Sequence, residues 1–285
     1  MNASVLKISA NQVSANRVSV VVTTYNRPDA LGAVLAALIR QSDLPLEVLV
    51  ADDGSGEATR LCVRAWQAQA PFALRHVWHE DNGFRAAAIR NRAAAQAQGD
   101  YLVFLDGDSV PFADFVARHA ALAEAQRFVS GNRLLLSETL TRQVLAGSEQ
   151  PIQWSCWRWL GARLRGRVNR LLPLLRLPDG RWRDRVQHEW RGARTCNLAL
   201  WRDDFVRVNG FDEDYAGWGH EDADLAVRLM RAGVLRKDGR HAVPVLHLWH
   251  AENPRDNEAL NRERLQAVLE EQRPMRAQRG VDQYL

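Results

Sequence analysis

Three apolar runs, each ended abruptly by polar or acidic residues, constrain this chain most. Val18 to Thr24 is a β-branched run ending in Tyr25-Asn26-Arg27-Pro28. Leu46 to Ala51 ends in Asp52-Asp53-Gly54-Ser55, and Tyr101 to Leu105 ends in Asp106-Gly107-Asp108. Runs this short and this apolar read as buried strands. Helical stretches lie between them. Pro28 opens one, with Leu31, Val34, Leu35 and Leu38 at i, i+3, i+4 and i+7 on a single face. A second follows Ser55, then a short strand from Ala73 to Val77. Residues 86–98 form an alanine-rich helix that Gly99 stops. Strands alternating with helices predict an α/β fold with a mostly parallel sheet covered on both faces. Ligands of such sheets bind beyond the carboxyl ends of the strands, where Tyr25-Asn26, Asp52-Asp53 and Asp106/Asp108 would gather.

The pattern changes after about residue 137. Residues 150–190 carry Trp154, Trp157, Trp159, Trp182 and Trp190 among many arginines, with no strand periodicity. Regular organisation returns with a strand from Asn197 to Trp201 and a helix from Asp203 to Val208. An acidic, glycine-rich loop covers Asn209 to Asp222, and a helix then runs to about Arg231. Val243 to Trp249 reads as the last strand, and the chain from Glu258 is charged and helical until Pro274.

The 285 residues suffice for one large α/β domain, and 46% hydrophobic with 25% charged residues is ordinary for a globular protein. A formal charge of +4 does not mark a nucleic-acid binder. Lys7 and Lys237 are the only lysines; arginine suits bidentate contacts to phosphate, and its heavy use equally fits compositional bias. Cys62, Cys156 and Cys196 form no CxxC pair and suggest neither disulfides nor a zinc site. No signal-peptide run opens the chain, and no stretch approaches the ~18–20 apolar residues that cross a bilayer. A cytoplasmic location is expected, with contact to a membrane surface left open.

Asp106-Gly107-Asp108 can direct two carboxylates at one hard cation such as Mg²⁺ or Mn²⁺; the same string also fits a turn with two solvated aspartates. At the second strand end, Asp53 could accept a hydrogen bond from a nucleobase or cap the following helix. Asp81-Asn82-Gly83-Phe84-Arg85 leads into a helix holding Arg90, Asn91 and Arg92, placed either to meet a diphosphate or to be solvated. Gly217-Trp218-Gly219-His220-Glu221-Asp222 is the most unusual string. Tryptophan offers a flat face to a sugar ring, and a positioned carboxylate can deprotonate a hydroxyl. Alternatively these acids only complement a helix dipole, which would also keep Asp222 ionised. His247 and His250 end the last strand as metal ligands or packed histidines. A Walker A pattern, GxGxxG, HExxH and a nucleophile elbow are all missing.

Taken in order, these strings resemble family 2 glycosyltransferases of the GT-A fold. The later stretch from Asn209-Gly210-Phe211-Asp212-Glu213 to Asp222 looks like the acceptor side of galactosyltransferases and chondroitin-polymerase-type enzymes. The resemblance covers roughly residues 17–136 and 190–262, not the tryptophan–arginine segment between. Residues 1–16 read as a polar tail, and the resemblance implies a single GT-A domain over 17–262. Within that domain lie a nucleotide-sugar half (17–136), an insertion (137–190) and an acceptor and catalytic half (191–262), followed by a C-terminal tail over 263–285. By the same resemblance, Thr24, Tyr25, Arg27, Asp53, Arg85, Arg90 and Asp106 would hold a UDP-sugar. Asp108 and His250, with His247 as the fallback, would bind Mn²⁺ or Mg²⁺. Asp222 would be the catalytic base of an inverting transfer, with Trp218 and Glu221 against a glycan or lipid-linked glycan acceptor. Synthesis of cell-surface polysaccharide or lipopolysaccharide is the implied setting. Two other readings stand beside it, a sugar-nucleotide pyrophosphorylase and a non-catalytic carbohydrate-binding protein. Residues 154–185 carry nine arginines against two aspartates, with Leu171, Leu172, Leu174, Leu175 and Leu177. They suit docking to an anionic membrane surface or a lid whose tryptophans pack on the core.

Overall fold

A computed structural model describes residue 15, residues 17–251 and residues 255–285. The polar tail expected over residues 1–16 lies outside the described residues except for Ala15, which is buried and donates its N–H to the Ala120 carbonyl. The first part of the chain alternates as β1 (Val18–Thr24), α1 (Pro28–Ile39), β2 (Glu47–Asp52), α2 (Glu57–Gln67), β3 (Ala73–Trp78), α3 (Ala86–Ala95) and β4 (Tyr101–Asp106). Next come β5 (Ser109–Pro111), α4 (Phe115–Leu122), β6 (Arg127–Ser130), β7 (Asn132–Leu135), α5 (Glu138–Leu145) and α6 (Cys156–Leu164). The remainder forms β8 (Asn197–Trp201), α7 (Arg202–Arg207), α8 (Glu221–Arg231), β9 (Leu235–Asp238), β10 (Pro244–His247) and α9 (Glu258–Leu269).

Seven strands make one sheet in the order β3-β2-β1-β4-β8-β6-β9. β3, β2, β1 and β4 are parallel, β8 runs antiparallel to both β4 and β6, and β9 is parallel to β6. The continuous apolar runs exist because both faces are covered, and successive residues serve opposite cores. Val20, Val22, Val48 and Val50 pack under Leu31, Val34, Leu35 and Leu38 of α1. Val21, Leu49, Leu102 and Phe104 face Ala87, Ile89 and Ala93 of α3, Phe205, Phe211 and Leu225. Alanine on the inner face of α3 lets that helix lie close to the sheet.

A second sheet has the order β5-β10-β7. Its strands are three or four residues long, too short for a readable period, and the last strand is correspondingly shorter than the expected Val243 to Trp249. Residues 137–190 hold no strand, as the sequence predicts, yet the segment is not uniformly outward. Trp159 is only 6% exposed and belongs to the core, and half-buried Trp154 packs edge-on against it with ring centroids 5.0 Å apart. Residues 263–285 differ from the expected tail. Leu265 and Val268 pack on Ala223 and Val227 of α8, Val281 is buried beside Phe205 and Phe211, and the Tyr284 hydroxyl donates to Glu213.

Candidate active site

Strand register assembles the site. Thr24 lies beside Asp52 and Thr23 beside Asp106, so the ends of β1, β2 and β4 form one edge. Gly107 is required there, because a Cβ on it would sit 2.9 Å from the Thr23 carbonyl oxygen and 3.1 Å from Thr24 Oγ1. Its own N–H donates to the same Thr23 carbonyl at 2.7 Å. Thr24 Oγ1 is buried without a partner, and Tyr25 is exposed with its hydroxyl donating to Asp81 at 2.9 Å. That bond, formed beside a carboxylate, holds the Tyr25 phenol above its ordinary pKa. Arg27 is tied to Asp29 at 3.0 Å.

Asp53 is buried and held on both oxygens. His79 Nε2 lies 2.6 Å from Oδ1, and the Arg85 backbone N–H donates to Oδ2 at 2.8 Å. Asp52 is held in parallel by His76 Nε2 and the Ser55 N–H, each at 2.8 Å. Sequence reasoning missed both histidines; the available signal was their position on β3, the strand beside β2. The Arg85 side chain turns back to the Glu80 carbonyl at 2.5 Å. Arg85 also lines a cavity of about 550 Å³ with Arg92, Glu213 and Tyr284, a space that none of Tyr25, Asp108 and Asp222 lines.

β10 brings the late histidines to the DxD turn. His247 lies opposite Ser109 of β5, and the Leu248 N–H donates to the Asp108 carbonyl at 2.8 Å. His247 Nδ1 is 3.1 Å and His250 Nε2 3.3 Å from the Asp108 carboxylate, and ligand atoms of all three lie within 4.8 Å of one another. His247, ranked as the fallback from sequence, thus stands with His250. The donor set fits a divalent cation. His250 Nδ1 is 2.6 Å from the Ala251 carbonyl, which can only accept, so that nitrogen carries the proton. Nε2 is thereby the ring nitrogen that faces the Asp108 carboxylate and is placed to ligate a cation shared with it. Burial would raise the Asp108 carboxyl, but the His247 hydrogen bond and the charges of His247, His250 and Arg27 leave it below the ordinary range. Asp106 is raised, because burial and the Asp108 charge outweigh Arg90.

Across the cleft, α8 starts at Glu221. His220 precedes it in the left-handed region at φ 74°, turning the chain so that Glu221 is buried and Asp222 half-buried. Asp222 Oδ1 accepts from the Ala223 N–H at 2.7 Å. Its carboxyl is nevertheless pushed up to about 7, because desolvation and the Glu221 charge oppose ionisation more strongly than Arg90 favours it. That rise runs against the expectation that the helix dipole keeps Asp222 ionised. Trp218 is half-buried, with the Arg255 guanidinium 4.7 Å from its ring centroid.

Arg90 joins the two sides. From within α3 its guanidinium reaches Thr23 Oγ1 at 3.0 Å, Glu221 at 3.1 Å and Asp106 at 3.3 Å. Expected as a diphosphate contact, it is an internal clamp among carboxylates. Asn91 next to it donates to the Phe211 carbonyl and to Glu213, fixing the loop that leads to Trp218.

The described residues thus gather an Asp-Gly-Asp turn, an Asp–His–His cluster and an acidic helix start at one sheet edge. Residues 19–171, more than half of the chain, match the family described as Glycosyl transferase family 2, and residues 183–243 match the N-terminal domain of galactosyltransferase. The chain belongs to glycosyltransferase family 2. These matches leave only residues 172–182 between them, so most of the segment that sequence reading left uncovered falls inside the family. The chain is 34% identical over 233 residues to validoxylamine A glucosyltransferase of Streptomyces hygroscopicus subsp. limoneus, covering 76% of this chain and 48% of that one. It is 28% identical over 260 residues to hyaluronan synthase of Pasteurella multocida, covering 86% and 25% respectively. It thus spans about half the length of the first relative and a quarter of the second. A solved mannosyltransferase, PcManGT from Pyrobaculum calidifontis, in complex with GDP-Man and Mn²⁺, shares the GT-A fold. Its TM-score is 0.55 at 19% identity, covering 88% of this chain and 69% of that one.

Proposed function

We propose that this glycosyltransferase moves a sugar from a UDP-sugar to a hydroxyl of a glycan or lipid-linked glycan, with inversion at the anomeric carbon. The observation that carries the reading is Arg90, whose single guanidinium contacts Asp106 on the donor side and Glu221 on the acceptor side. Asp222 is therefore one residue from a group within a guanidinium's width of the Asp-Gly-Asp turn, close enough for one direct displacement.

In this reading Thr24, Tyr25 and Asp53 hold the nucleoside. His79 and the Arg85 N–H orient the Asp53 carboxylate, which keeps lone pairs free to accept from a base N–H. Asp108, His247 and His250 would hold Mn²⁺ or Mg²⁺, and that ion would supply charge stabilisation for the leaving diphosphate. Trp218 and Glu221 seat the acceptor sugar. Asp222 takes the proton of the acceptor hydroxyl as its oxygen bonds to the anomeric carbon; the bond from that carbon to the diphosphate oxygen breaks, and its electron pair leaves with the nucleoside diphosphate. A carboxyl pushed up to about 7 still ionises near neutrality and is a stronger base than a solvated aspartate. Among the described residues no helix is long and apolar enough to cross a membrane. The reading sets the enzyme at the cytoplasmic, anionic face of a membrane, in synthesis of cell-surface polysaccharide or lipopolysaccharide.

The test is a UDP-sugar panel assayed with Mn²⁺, with Mg²⁺ and with chelator, for wild type and Asp108→Asn. Transfer should need the cation, and the variant should stay folded yet lose most activity and the metal-dependent part of its UDP affinity. Full transfer in excess chelator overturns the metal assignment.

A further inference from the structure

The insertion carries an outward apolar face that no other described residue covers. On α6, Trp159 and Ala162 turn inward. Trp157, Leu160 and Leu164, at i, i+3 and i+7, form the opposite stripe, with Trp157 78% and Leu164 80% exposed. Leu172, 64% exposed, and Leu175 add a second outward apolar group on the same insertion. Two inward tryptophans anchor this face: buried Trp159 meets half-buried Trp154 edge-on, and Trp154 Nε1 donates to Glu149. The insertion is tied to the site's own strands, since the Ser137 N–H donates to the Arg167 carbonyl and Asn169 pairs with Leu135 at the end of β7.

Charge decides the occupant. Residues 154–185 hold nine arginines and two aspartates. Arg163 and Arg165, flanking Leu164, are exposed and make no ion pair among the described residues, and the same holds for Arg181 and Arg185. Two copies of so basic a surface would repel across a two-fold interface. An exposed tryptophan and leucines rimmed by free guanidinium groups match an acyl–headgroup boundary bearing negative lipid.

We propose that the α6 face, with Trp157, Leu160 and Leu164 inserted and Arg163 and Arg165 on the headgroups, docks this chain on an anionic lipid surface. This gives the membrane clause of the functional reading a definite face, and it rests on that clause but not on the transfer chemistry. Trp157 and Leu164 are the inserted wedge; Trp154 and Trp159 are its scaffold.

Co-sedimentation with phosphatidylglycerol-rich vesicles, against pure phosphatidylcholine, tests it. Wild type should pellet with the anionic vesicles at low salt. It should be released as salt shortens the screening length from about 10 Å at 0.1 M to about 3 Å at 1 M. Trp157→Ala/Leu164→Ser changes only exposed positions; it should keep the wild-type circular dichroism and lose about tenfold or more in partitioning. Arg163→Gln/Arg165→Gln should weaken anionic binding and flatten its salt dependence. Asp222→Asn should bind vesicles like wild type, which separates docking from transfer. Wild type remaining in the supernatant at low salt overturns the proposal, and so does unchanged binding of the Trp157/Leu164 variant. A dimer in sedimentation velocity that this variant dissolves would also overturn it, by assigning the face to a second copy.

Discussion

In the base role proposed for it, Asp222 meets two opposed demands: it must leave bulk water to meet a substrate, and it must ionise to accept a proton. The structure resolves them with a carboxyl pushed up to about 7, Arg90 limiting a rise that burial and Glu221 drive. Turnover should therefore climb with pH through about 7 and level above it, because only the ionised form accepts the proton. Asp222→Asn should lower turnover by roughly 10²-fold and abolish that dependence, while donor affinity changes little. Turnover that is flat across neutral pH would remove Asp222 from the base role. Stability has the opposite sign. Between about pH 4, where an unfolded aspartate ionises, and about 7, the folded carboxyl holds the extra proton, so stability falls as pH rises and then stays level. Asp222→Asn should remove that loss, raising the melting temperature at pH 8 even as activity falls. The sequence points to Asp222, Asp108 and Asp53 because each lies at the boundary of an element in an unusual string. His79 and the bridging geometry of Arg90 were not legible, because each acts through a partner far away in sequence: His79 through Asp53, and Arg90 through Glu221.

At the scale of elements, the start of α8 depends on the start of α9. The Nδ2 groups of Asn257 and Asn261 both donate to the Ala216 carbonyl, at 3.2 and 3.1 Å. Gly217, at φ 77°, leaves room for this contact, since a Cβ there would lie 2.8 Å from Asn257 Nδ2. Gly217→Ala should cost about 1–3 kcal/mol, from the left-handed backbone and the displaced asparagine. It should also reduce turnover, because Trp218, Glu221 and Asp222 follow directly. Urea unfolding and steady-state kinetics check the two effects, and an unchanged midpoint would contradict the packing account. The strands β1, β2 and β4 and helix α1 were legible because burial on both faces writes a continuous apolar run, and burial on one writes a 3.6 period. β5 and β7 were not, since three or four residues pair by position rather than by pattern, whereas β10 falls inside the expected Val243 to Trp249. In residues 150–190 composition alone could not separate Trp159 from Trp157; only the packing of α6 tells the buried ring from the exposed one.

For the molecule as a whole, the C-terminal residues close the fold. Asn209, the first residue of the loop that leads to Trp218, donates to the Ala277 carbonyl and accepts from the Val281 and Asp282 N–H groups. Removing residues 278–285 exposes the core around Val281, worth about 1.5–3 kcal/mol for that side chain. It also frees Glu213 from Tyr284. The truncated chain should melt roughly 5–10 °C lower. Nucleotide binding should survive better than transfer, because β1, β2 and β4 are untouched while the loop to Trp218 is loosened. A truncated protein with wild-type melting and turnover would show that these contacts carry no weight. The position of β8 has a consequence of another kind. Because it is inserted between β4 and β6 yet comes from late in the chain, a growing polypeptide on the ribosome completes β4 long before its neighbour exists. Until Asn197 to Trp201 emerge, the backbone of β4 presents an open, apolar edge of the kind that recruits foreign strands. Successful biogenesis of this enzyme therefore turns on how quickly, or under what chaperone cover, that edge is closed.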